Sequence, residues 1–261
     1  MALCLALFSK EHQVKVERFE SFDGTRIAWR ELGEGRPVVL IHGYFSTAEV
    51  NWLKYGHAKI IADKGFRVIM PDLRGHGDSD RPHDPAAYPP DALMRDGLAL
   101  VEHLGLSDYD LGGYSLGART TVRMLVNGAA PRRAVLSGMG LEGISHTAGR
   151  GGYFRRVLTN LGSFERGSAE WMTESFLKTT RGDPVALLHV LETFVDTTPE
   201  ELGRIATPAL VLTGAQDDDN GSPEALAEAL PDATFQSIPG NHLSAVTRPE
   251  LGRAIADFLA V

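Results

Sequence analysis

Short uninterrupted apolar runs alternate along this chain with longer stretches whose apolar residues recur at helical spacing. PVVLIHG (37–43) is such a run, closed by glycine, and FRVIMPD (66–72), RAVLSG (133–138), PALVLTG (208–214) and TFQSIPG (234–240) repeat the form. The first predicts a strand buried on both faces, as in a parallel sheet, and the others predict further strands. Residues 14–20 and 25–32 predict a leading hairpin around Asp23-Gly24. Helical patterns follow at 50–64, at 91–105 with Gly105 as a stop signal, after Ser115 in ARTTVRMLVN, and at 222–230 and 248–259. Tyr109 to Gly112 is a weaker strand candidate, because Asp110 interrupts it.

The alternation predicts an α/β fold with a mostly parallel central sheet flanked by helices. It breaks between about 140 and 203, where long amphipathic segments carry Arg155, Arg156, Trp171, Met172 and Phe176 without a strand of comparable quality. This stretch is expected to be a helical cap inserted over one edge of the sheet. The expected division is therefore a core of 1–139 and 204–261 with a cap of 140–203.

Composition narrows the function. With 261 residues, 43% apolar and 23% charged, the chain reads as an ordinary globular protein able to bury a substantial core. A net charge of −8 argues against a broad electrostatic grip on nucleic acid or on anionic membrane. The single cysteine, Cys4, excludes an internal disulfide and leans towards a cytoplasmic location. MALCLALF at the start is too short to span a bilayer and lacks a preceding positive charge. It is expected to pack on the core or on a partner, and if exposed it would favour homo-oligomers.

The chemistry gathers around one serine. Gly113-Tyr114-Ser115-Leu116-Gly117 matches G-x-S-x-G between a predicted strand and a predicted helix. A serine on so sharp a strand-to-helix turn has a strained backbone, and side chains two positions away would collide. Gly113 and Gly117 remove them, Ala118 stays small, and the new helix aims its N–H groups at developing negative charge. A serine hydroxyl also needs a base held by a carboxylate. Asp217 follows the strand PALVLTG and His242 follows TFQSIPG, both just past carboxyl ends of strands, where open α/β sheets place their sites.

Five motifs in this order, HGY (42–44), PDLRGHGDS (71–79), GYSLG (113–117), TGAQD (213–217) and GNH (240–242), resemble the α/β-hydrolase fold superfamily over nearly the whole chain outside the insertion. The resemblance implies a serine esterase with Ser115 as nucleophile, His242 as general base and acid, and Asp217 as orienting carboxylate. It implies an oxyanion hole from the N–H groups of Leu116 and Tyr44, with Phe45 as the alternative to Tyr44. It implies no cofactor and a small-molecule acyl substrate. Serine at position 115 points away from haloalkane dehalogenases and epoxide hydrolases, which use aspartate there.

Some assignments stay open at this level. Asp217 begins the run DDDNG, so Asp218 competes with it, and Glu142 is a remoter candidate. An EF-hand reading of that run fails, because Gln216 and Ala227 stand where acids are needed. His42, Asp72, Arg74 and His76 read as loop-bracing groups, and His57, His103, His146 and His189 as surface or helix residues without metal spacing. Arg119 in GYSLGAR resembles the α/β-hydrolase-fold lyase of menaquinone synthesis, and it is a candidate to hold a substrate carboxylate. A lyase, a C–C bond hydrolase and a ligand receptor on the same scaffold therefore remain alternatives. Trp171, Met172 and Phe176 are the cap's candidates for substrate contact, which favours an apolar or aromatic acyl group.

Overall fold

The computed structural model describes residues 14–261, so the apolar segment MALCLALF and Cys4 lie outside the described residues. The chain opens with a hairpin of β1 (Glu17–Glu20) and β2 (Arg26–Leu32), turned by Gly24 at φ 84°. β3 (Arg36–Ile41) and β4 (Phe66–Pro71) follow, joined by one wide helical turn, Glu49–Leu53, and helix α1 (His57–Ala62). Helix α2 (Ala92–His103), β5 (Asp110–Tyr114), α3 (Leu116–Val126) and β6 (Ala134–Ser137) complete the first part. After a helical stretch come β7 (Ala209–Gly214), helix Pro223–Ala229, β8 (Ala233–Ile238), helix His242–Ala245 and helix Pro249–Leu259.

The eight strands form one sheet in the order β1-β2-β4-β3-β5-β6-β7-β8. Pairings β1–β2 and β2–β4 are antiparallel and all others are parallel. The apolar runs explain this architecture, since alternate residues of one strand feed cores on opposite faces. Val38 and Leu40 of β3 pack with α1 and Pro249–Leu259, whereas Val39 and Ile41 pack towards α2 and α3. β7 divides in the same way, with Leu210 and Leu212 on the first face and Val211 on the other.

Asp110 does not break β5. Its carboxylate is fully buried at the start of the strand and accepts a 2.8 Å bond from Arg36 Nε, while Arg36 also donates to the Leu259 carbonyl. An ion pair thus lets a charged residue begin an otherwise apolar strand.

The stretch between β6 and β7 is helical: α4 (Leu141–Ser145), α5 (Thr147–Thr159), α6 (Ala169–Thr179), α7 (Pro184–Glu192) and α8 (Pro199–Leu202). The helices after it are numbered α9 (Pro223–Ala229), α10 (His242–Ala245) and α11 (Pro249–Leu259). Phe154 of α5 packs edge-on against Tyr44 and Phe45, at ring distances of 4.7 and 5.3 Å, which seats the helical layer on the loop after β3. No helix among the described residues is long and apolar enough to cross a membrane.

Candidate active site

The turn from β5 into α3 has the strain its sequence requires. Ser115 sits at φ 55°, ψ −113°, a backbone conformation that side-chain-bearing residues avoid unless the surroundings enforce it. The enforcement is visible. Ser115 N–H donates to the Ser137 carbonyl at 2.8 Å. A Cβ on Gly113 would meet the Gly117 carbonyl carbon at 2.3 Å, and one on Gly117 would meet the Ile41 oxygen at 2.0 Å. Only glycine at both positions lets α3 start so close to β3.

His242 stands at the first position of α10. Asn241 caps that helix, its Oδ1 accepting from the N–H groups of Leu243 and Ser244, while Ser244 Oγ accepts from Asn241 N–H. Tyr114 OH donates to the His242 carbonyl at 2.6 Å, so the residue before the serine also fixes the backbone of the histidine. The ends of β7 and β8 are strapped together by Ala215 N–H to Ile238 O and Gln216 N–H to Gly240 O. Their spacing fixes Asp217 against His242.

The result is a hydrogen-bonded chain: Ser115 Oγ to His242 Nε2 at 3.0 Å, and His242 Nδ1 to Asp217 Oδ2 at 2.9 Å. A proton on Nδ1, held by the carboxylate, leaves the Nε2 lone pair facing the serine hydroxyl. The Asp217 side chain is 2% exposed and that of His242 12%, so the pair works in a partly dehydrated setting. Asp217 holds this position; Asp218 lies on the cavity wall, and Glu142 instead accepts from Ser222 N–H at 2.8 Å.

The loop after β3 faces the serine from the other side. Gly43 approaches so closely that a Cβ there would lie 3.3 Å from that of Ser115. Gly43 to Ser46 is a tight turn closed by Ser46 N–H to Gly43 O at 3.1 Å, with Phe45 at φ 61°. The N–H groups of Tyr44 and Phe45 lie outside that bond. Both residues line the cavity above Ser115, and Leu116 opens α3 beside them.

Behind this loop the bracing reading of DLRGHGDS holds. Asp72 accepts from Ala48 N–H and Arg30 Nη1, each at 2.8 Å, and from Asp78 N–H at 2.9 Å. Burial pushes its carboxyl up, but the Arg30 guanidinium and these hydrogen bonds outweigh that and hold it low. His42 Nε2 accepts from Leu73 N–H at 2.9 Å and its Nδ1 bonds the Gly43 carbonyl. Burial pushes its pKa down, so the ring is a neutral strut. Arg74 is buried against Asp96 and Asp23. His57 is a helix residue but no surface one, for it is buried with Nε2 on the Val246 carbonyl.

A cavity of about 510 Å³ opens above Ser115. From α6 it takes Ala169, Met172, Thr173 and Phe176, positions that share one helix face, and from α5 it takes Tyr153 and Phe154. Met172 and Phe176 therefore line the cavity. Trp171 does not; it is one residue off that face and turns about 100° away. Arg119 is likewise outside. Its guanidinium is buried beneath the helical layer, with Nε on the Gly143 carbonyl at 2.9 Å and the Phe194 ring 4.4 Å away, so it cannot receive a carboxylate placed at Ser115. Burial of α3 against α4 overrides the expectation of a substrate-facing arginine.

Sequence reasoning missed Tyr114, Asn51 and the hydroxyl of Tyr44. Asn51 Oδ1 accepts from Gly43 N–H at 3.0 Å, and Tyr44 OH donates to the Leu187 carbonyl of α7 at 2.6 Å. Tyr114 fills the variable position of G-x-S-x-G and Asn51 lies in an irregular turn, so neither carried a pattern signal.

This architecture, with the strained Ser115 turn after β5 and with Asp217 and His242 after β7 and β8, is the α/β-hydrolase fold, and the model of that family matches residues 36–149. A hydrolase from Pseudomonas aeruginosa PA01 superposes with a TM-score of 0.77 at 23% identity, covering 95% of this chain and 99% of that one. A thermophilic esterase from Thermogutta terrifontis does so with 0.76 at 23%, over 94% and 98%. Among curated proteins, a non-heme haloperoxidase of Rhodococcus erythropolis is 36% identical over 121 residues, 44% of this chain and 41% of its own. Epoxide hydrolase 2 of Siraitia grosvenorii is 31% identical over 99 residues, 38% of this chain and 30% of its own. The matches thus span less than half the length of these curated relatives.

Proposed function

We propose that this chain is a serine hydrolase cleaving carboxylic esters through an acyl-enzyme. The observation that carries the reading is the unbroken Ser115–His242–Asp217 hydrogen-bonded chain at the base of the cavity. Ser115 Oγ attacks the ester carbonyl carbon as its proton passes to His242 Nε2. The carbonyl oxygen, now an oxyanion, takes hydrogen bonds from the N–H of Leu116 and from that of Tyr44 in the Gly43–Ser46 turn. The intermediate collapses, the C–O bond to the alcohol breaks, and Nε2 returns the proton to the leaving oxygen. Water then repeats the sequence on the acyl-serine, with Nε2 taking its proton, and releases the acid and the free hydroxyl. Asp217 keeps the imidazole in the working tautomer and stabilises its cation.

Relatives named for epoxide hydrolysis and haloperoxidase activity share parts of the fold, and serine at position 115 favours acyl chemistry over an aspartyl ester. The lyase reading loses its support with Arg119, which does not face the cavity. The test is hydrolysis of p-nitrophenyl esters by the wild type and by Ser115→Ala. A fall in kcat of at least about 10⁴-fold is expected. Retained turnover in the variant would overturn the assignment, and ligand-induced stabilisation of the wild type without turnover would favour a receptor.

A further inference from the structure

The peptide that joins Gly43 to Tyr44 is held from behind. Its carbonyl, that of Gly43, accepts from Ser46 N–H at 3.1 Å and from His42 Nδ1 at 2.8 Å. His42 Nε2 accepts from Leu73 N–H, so Nδ1 is the ring atom that carries the proton. A trans peptide places its N–H opposite its carbonyl, so the Tyr44 N–H points away from the His42 brace. Gly43 N–H is taken as well, by Asn51 Oδ1 at 3.0 Å. These bonds fix the near end of the peptide.

The far end carries the Tyr44 side chain, which leaves the sheet for the helical layer. Its hydroxyl donates to the Leu187 carbonyl of α7 at 2.6 Å. Its ring meets that of Phe154 from α5 at 4.7 Å, nearly at right angles, and stacks on Phe45 at 4.4 Å. The residue is 8% exposed, and burial pushes its phenol well up, so the hydroxyl stays a donor across the range of any assay. Ring packing alone would seat the helical layer; a directed hydroxyl also fixes where the α-carbon of Tyr44 stands. We propose that Tyr44 is a positioning residue: through its hydroxyl and ring, α7 and α5 hold the Tyr44 N–H on the oxyanion, so the helical layer takes part in the chemistry as well as enclosing the substrate. This inference rests on the ester-hydrolase reading, in which that N–H is one of two oxyanion donors.

Such a donor acts on charge that develops only in the transition state, so losing its alignment lowers kcat and spares KM. Removing a donor outright costs about 10²- to 10³-fold in kcat, and a misplacement of about 1 Å can cost about 10²-fold. Tyr44→Phe keeps the ring and deletes one bond. A carbonyl inside a helix already accepts from the N–H four residues on, so α7 is not left with an orphaned oxygen. For a p-nitrophenyl ester, kcat is expected to fall by about 10- to 100-fold, with KM within about twofold of wild type and the melting temperature nearly unchanged.

A trifluoromethyl ketone and a primary amide sharing a 3-phenylpropanoyl chain separate alignment from binding. Ser115 Oγ adds to the ketone carbon as its proton passes to His242 Nε2, and the ketone oxygen becomes an oxyanion; the amide stays planar. In Tyr44→Phe the Ki of the ketone should rise in parallel with the loss of kcat, while that of the amide stays within about twofold. Unchanged kcat and ketone Ki would overturn the proposal. So would a KM and an amide Ki that rise as much as the ketone Ki, because that pattern marks a loosened cavity. If the wild type neither hydrolysed esters nor bound the ketone more tightly than the amide, the hydrolase reading itself would fall, and the proposal with it.

Discussion

Asp217 illustrates how one atom's position sets a carboxylate apart from its two neighbours in the chain. Only its Oδ2 reaches His242 Nδ1, at 2.9 Å. Asp217→Asn keeps the shape but presents an amide that stabilises the wrong tautomer, so kcat for a p-nitrophenyl ester should fall by about 10³- to 10⁴-fold with little change in KM. Steady-state kinetics beside a thermal melt checks this, since a merely structural residue would lower both stability and binding. Ser115 and His242 were legible from the sequence because motif and chain order converge on them. In the sequence, Asp217 is preferred over Asp218 from its place after the strand alone, because a run of identical side chains carries no direction until the turn after β7 is folded. Arg119 misled for a related reason. Its place after the motif is a sequence fact, but which way a first-turn side chain points is decided by what packs on the helix, here the Gly143 carbonyl and Phe194.

Between elements, the contact that governs the site is the packing of α3 against β3 through Gly117. Gly117→Ala drives a methyl group into the backbone oxygens of Ile41 and His42, which have no rotamer to relieve it. The expected loss is about 3 kcal/mol or more, read as a lower urea midpoint, together with loss of whatever turnover of p-nitrophenyl esters the wild type shows. The loop from β4 towards α2 depends comparably on Asp72. Asp72→Ala leaves buried Arg30 with Asp78 as its remaining partner and frees the N–H groups of Ala48 and Asp78, at an expected cost of about 3 kcal/mol by chemical denaturation. The central strands were readable because fully buried runs leave a simple signature, whereas β8, at the sheet edge, is mostly exposed and was marked chiefly by its closing glycine. The helical stretch was readable only as helix: its arrangement rests on contacts such as Phe154 with Tyr44 and Tyr44 OH with Leu187, which have no local pattern.

Over the whole molecule, three histidines fold into the interior uncharged. Burial lowers the pKa of His42 and His57, and burial together with the facing His42 ring takes His76 down to about 3. A depressed histidine pKa means that the unfolded chain binds the proton first, so stability is fully present above the unfolded value of about 6.5 and declines as pH falls below it. For His76 the decline is about 1.4 kcal/mol per pH unit, continuing towards pH 3. Unfolding free energies from urea titrations at pH 7, 6 and 5.5 should show this slope. His76→Gln should be less steep by about one proton's share. Asp96 and Asp110, whose buried carboxyls are shifted upward, bend the curve the other way as pH falls through their raised values.

The hydrogen-bonded chain at the site joins segments 127 residues apart, from Ser115 to His242, and Arg36 reaches the Leu259 carbonyl 223 residues away. Such closures are slow relative to local helix formation, because distant segments must meet before any contact rewards them. Catalysis should therefore be among the last properties to return when the denatured chain refolds. After dilution from urea, far-UV ellipticity should recover first, with ester turnover trailing it by a measurable lag, so that activity serves as a clock for the docking of the final strands.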